Sequence, residues 1–114
     1  MTVPCLSRRG AVKGWFFYMI RYFLTQNDKL ETLTAPETGC WVSMVAPTET
    51  ELNEISARYK LDMDVLRAAL DADERSRIDA DEGYTMVLVN IPTLEEQSDQ
   101  ELYDTIPVSI VMMQ

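Results

Sequence analysis

Two runs, Tyr84–Ile91 and Tyr103–Met113, carry apolar side chains at both phases of a two-residue repeat. In the first, Tyr84, Met86 and Leu88 share one face while Val87, Val89 and Ile91 share the other. A strand with only one buried face would alternate apolar with polar, so apolar character on both sides predicts central strands covered on both faces. The second run closes the chain with Ile110-Val111-Met112-Met113-Gln114. Domains seldom finish in a buried strand without a polar tail, so the chain is expected to be one piece of a larger protein, or to be completed by a second copy.

The remaining elements follow from local chemistry. Ile20–Thr25 is rich in aromatic and β-branched residues, and Gln26-Asn27-Asp28-Lys29 is turn chemistry, so a hairpin into Leu30–Leu33 is predicted. Pro36 and Gly39 break the chain before Cys40–Val45, an apolar run too short for a helix and read as a strand. Thr48 with Glu51 three residues later makes a capping box, and the acids of the first turn suit the helix dipole. That helix should reach Tyr59 with Leu52, Ile55 and Tyr59 on one stripe, and a second should point Met63, Leu66, Ala69 and Leu70 inward. Arg77–Ala80 and Tyr84–Ile91 form a hairpin through Asp81-Glu82-Gly83. Pro92 is expected to end the strand, and the stretch from Glu95 to Glu101 to be a solvated acidic tip. Together these predict one α/β domain, a mixed and mainly antiparallel sheet with short helices packed on it.

Composition narrows the function classes. A chain of 114 residues that is 46% hydrophobic can bury one core. Its formal charge of −9 divides unevenly: residues 1–30 hold five basic side chains and one acidic, and the rest five basic and eighteen acidic. An acidic surface repels phosphates, so nucleic acid and anionic lipid are excluded as partners and cations or basic partners favoured. Cys5 and Cys40 lack CxxC spacing and no histidine is present, which argues against zinc and histidine-based dyads. The two thiols are read as a reduced pair, with a disulfide open only to an oxidising compartment. No glycine-rich phosphate loop or differentiated carboxylate pair occurs, so no catalysis and no cofactor are expected.

The apolar stretch Trp15–Leu24 is too short for a membrane span and is interrupted by Arg21; no cleavage pattern follows it despite Arg8-Arg9. Met19 offers an alternative start. Residues 1–18 are accordingly read as a leader or extended N-terminus, and 19–114 as the domain.

Asp71-Ala72-Asp73-Glu74 and Asp79-Ala80-Asp81-Glu82 are the densest acidic groups, but neither has the spacing of a Ca²⁺ loop. Asp71 and Asp73 are the weak metal candidates. The competing reading makes them solvated carboxylates, or partners of Arg75 and Arg77.

Taken in order, Trp41, Pro47, Glu51-Leu52, Ile55, Tyr59, Leu61, Val65-Leu66, Ala69-Leu70-Asp71, Glu74-Arg75, Arg77-Ile78 and Tyr84 through Ile91 resemble the N-terminal cytoplasmic domain of CorA-like divalent-cation transporters. The resemblance implies a sheet between helical layers, forming part of a cytoplasmic funnel on a membrane-embedded homopentamer that carries Mg²⁺ or related ions. It implies a regulatory and assembly role, with the stalk and pore helices as partners and the transported ion as cargo. Some members place an acidic pair in the second helix that helps bind a regulatory cation; here Arg67 and Ala68 stand there, so that site is not carried over. The alternative is a free-standing cytosolic binding module that dimerises through an open sheet face.

Overall fold

The computed structural model describes residues 2–6, 20–97 and 100–114, and the side chains of 20–93 and 103–114. Seven strands make one sheet: β1 (Thr2–Leu6), β2 (Ile20–Gln26), β3 (Lys29–Leu33), β4 (Trp41–Val45), β5 (Arg77–Asp81), β6 (Tyr84–Gln97) and β7 (Gln100–Met113). Their order is β3-β2-β4-β1-β7-β6-β5. Among the described residues only the β1–β4 pairing is parallel. The fold is therefore the mixed, mainly antiparallel α+β class that the sequence predicts. Thr2–Leu6, within the segment read as a leader, lies between β4 and β7, while residues 7–19 are outside the described residues.

Local chemistry sets the turns. Asn27 and Asp28 both adopt positive φ, 50° and 61°, the conformation of a two-residue hairpin turn whose twist matches its strands. Gly83 takes φ 90° between β5 and β6, a conformation costly for a residue with a Cβ.

Helix α1 (Glu49–Tyr59) starts on the predicted capping box: Thr48 Oγ1 accepts from the Glu51 amide at 3.3 Å, and the Thr48 amide donates to Glu51 Oε2 at 2.7 Å. It ends where Lys60 turns left-handed, φ 53°, and Ser56 Oγ donates to the Leu61 carbonyl at 2.6 Å. The second predicted helix is shorter than expected. Helix α2 (Met63–Arg67) tightens into a 3-10 turn at Ala68–Leu70.

Both helices lie on the same side of the sheet. Leu52, Ile55, Val65, Leu66, Ala68 and Ala69 meet Val42, Met44, Met86, Leu88 and Val111 in one core. Burial of this apolar surface is the main stabilising term, worth about 1.5–3 kcal/mol for each large side chain. Ser109, on the same side of β7, is buried and its Oγ has no hydrogen-bond partner among the described residues.

One expectation about β6 is overturned. Pro92 does not end the strand, which continues to Gln97 in register with β7 and pairs Pro92 with Thr105. The physical reason is that β5 stops pairing at Leu88. Beyond it β6 has a ladder neighbour on one side only, and a residue without an N–H is tolerated at such an edge. The acidic stretch is the end of the β6–β7 hairpin, with Glu95, Glu96 and Gln97 paired to Leu102, Glu101 and Gln100. Antiparallel pairing, once in register, carried the backbone further than composition suggested.

The two apolar faces of β6 and β7 differ in what the described residues place on them. Helices cover one face, and the other is open among the described residues.

Candidate functional site

The open face is the first candidate, and it is built by strand alternation. Cross-strand register places Phe23, Thr25, Leu30, Trp41, Ser43 and Val45 on this side at one end of the sheet. At the other end it carries Ile78, Val87, Val89, Ile91, Val108, Ile110 and Met112. Among the described residues, seven of the eight large hydrophobic side chains that stand exposed belong to it, Ile78 at 71% and Met112 at 45% among them; the eighth, Tyr103, lies on the opposite face. Charge is nearly absent here: among the described side chains of this face only Arg21 and Asp104 are ionisable. In a chain that is 25% charged, such segregation is the mark of a surface meant to be covered. A shallow apolar groove of about 550 Å³ lies at one end of it, lined by Phe23, Thr25, Leu30, Gly39 and Trp41 together with Leu24.

The acidic candidates lie on the other side, in the loop that follows the 3-10 turn. Asp71 Oδ1 accepts from the Asp73 amide at 2.9 Å, and the Glu74 amide donates to the Asp71 carbonyl at 3.2 Å. Asp71 thus shapes a turn. The structure does not join Asp71 and Asp73 to Arg75 and Arg77, the pairing offered as their alternative. Arg77 instead bonds Asp79 Oδ2 through Nε at 2.7 Å and Glu74 through Nη1. Those two carboxylates, Asp79 first, push the Arg77 pKa further up. The same loop is fastened to β6 where the Asn90 amide donates to Ser76 Oγ at 3.2 Å. Among the described residues no three His, Cys, Asp or Glu side chains converge in a way that could hold a metal ion.

The position of the altered acidic pair has its own geometry. Arg67 reaches across to α1 and bonds Glu49 Oε2 at 2.7 Å, with both side chains largely in solvent. Ala68 is buried against the sheet. A carboxylate at position 68 in this arrangement would have to be desolvated, at a cost only pairing could offset.

A third cluster was not foreseen. Tyr59, at the end of α1, stands close to Cys40, a free and fully buried thiol. Burial first, then the proximity of Cys40 and Tyr22, pushes the Tyr59 phenol up to about 12, with Arg58 opposing. The sequence placed both residues in the core but not against each other, because their contact depends on how α1 crosses β4. Tyr84 is similarly pushed up, by burial and then by the carboxylates of Asp81, Asp62 and Asp79. Each of these two tyrosines packs as a ring at the edge of the core.

No described helix is long and apolar enough to cross a membrane. Comparison with known proteins gave no match among curated proteins and none among solved structures. The model of the CorA-like Mg²⁺ transporter proteins matches residues 36–114, the part of the chain that holds β4 to β7 and both helices. With most of its length matched, the chain belongs to the CorA-like Mg²⁺ transporter family.

Proposed function

We propose that this chain is a cytoplasmic domain of a CorA-like divalent-cation transporter, acting in assembly and regulation and conducting nothing itself. The observation that carries the reading is the two-sided apolar sheet covered, among the described residues, on one side only, found in a chain of this family. A domain whose strands are written for burial on both faces is made to sit inside a larger structure. In this reading the remaining parts are the stalk and pore helices, the protein is a homopentamer in the cell membrane, and Mg²⁺ or a related ion is cargo.

Two outcomes test it. The reading frame should continue past Gln114 into two apolar spans, and the complete product should restore growth at limiting Mg²⁺ to cells that lack their own uptake. A complete product without spans or without uptake overturns the reading. For regulation, the Arg67–Glu49 pair and buried Ala68 support a domain whose own response to the ion is weak. Millimolar Mg²⁺ should then shift the melting temperature of the isolated chain by no more than about one degree, whereas a rise of several degrees would reveal tight binding to the folded state.

The open face also favours a second reading, a free-standing module that dimerises through it. Sedimentation equilibrium separates the two: this reading requires a concentration-dependent dimer that Val89→Asp abolishes, and a strictly monomeric chain sinks it.

A further inference from the structure

We draw no further inference here: the strongest candidate, the open apolar face of the sheet around Val89, Ile91 and Met112 with the groove beside Trp41, carries nothing beyond the readings above because nothing in the structure shows what covers it.

Discussion

Leu88 and Val89 are neighbours in β6, yet one is 1% exposed and the other 36%. Their difference summarises the two faces of the sheet. On the helical side β2, β3, β4, β6 and β7 deliver apolar residues into a core closed by α1, α2 and the 3-10 turn. On the open side the same strands deliver equally apolar residues to a surface with no described cover. The lesson is that hydrophobic pattern specifies that a face is to be buried, but not by what.

The largest expected effect contrasts the faces directly. Leu88→Ala should destabilise the isolated chain by about 3 kcal/mol in urea unfolding, the transfer and cavity cost of a buried leucine. Val89→Ala, one residue away, should cost less than about 1 kcal/mol. Equal losses would mean that the open face is covered in solution, and the comparison would break.

The helical layer can be loosened without touching the core. Thr48→Ala removes the capping box and should cost about 1 kcal/mol. Helicity by circular dichroism should fall while the sheet signal persists. If stability is unchanged, α1 is held by its buried stripe alone.

The Tyr59 phenol gives a pH test of the same layer. Its folded pKa of about 12 lies above the ordinary value of 10.0, so folding favours the protonated phenol. The associated stability is complete below about pH 10 and is lost as pH rises through about 12. For a half-buried ring that solvent partly screens, the loss should be about 1 kcal/mol. Tyr59→Phe should flatten this part of the stability curve. A wild-type curve with no slope between pH 10 and 12 would show that the phenol is more exposed than the contact with Cys40 indicates.

The smallest effect belongs to the ion pair on the outer surface of the helices. Arg67→Ala should cost about 0.5 kcal/mol or less, because both partners of the pair with Glu49 stand in solvent. A larger loss, abolished by high salt, would show that α1 and α2 depend on it.

Most of the local structure was legible in the sequence. The capping box at Thr48 and the turn at Asn27-Asp28 depend on residues a few positions apart, so sequence suffices to read them. The division of β6 into two faces was equally legible, since alternation follows from the strand itself. Pro92 was misread because its tolerance depends on where β5 stops pairing, a long-range fact. Of the two competing readings of Asp71 and Asp73, solvated carboxylates or partners of Arg75 and Arg77, the exposed positions of both fit the first, while Arg77 turns toward Asp79 and Glu74.

The sequence by itself determined the kinds of elements, the apolar phases of each strand and, through the ordered run from Trp41 to Ile91, the family resemblance. Tertiary structure alone decided which phase of β6 the helices would occupy. It also set Tyr59 against Cys40 and made one apolar face a core and the other an open surface. The physical reason is that alternation and capping are properties of a local stretch of chain, whereas burial is a property of whatever packs against it.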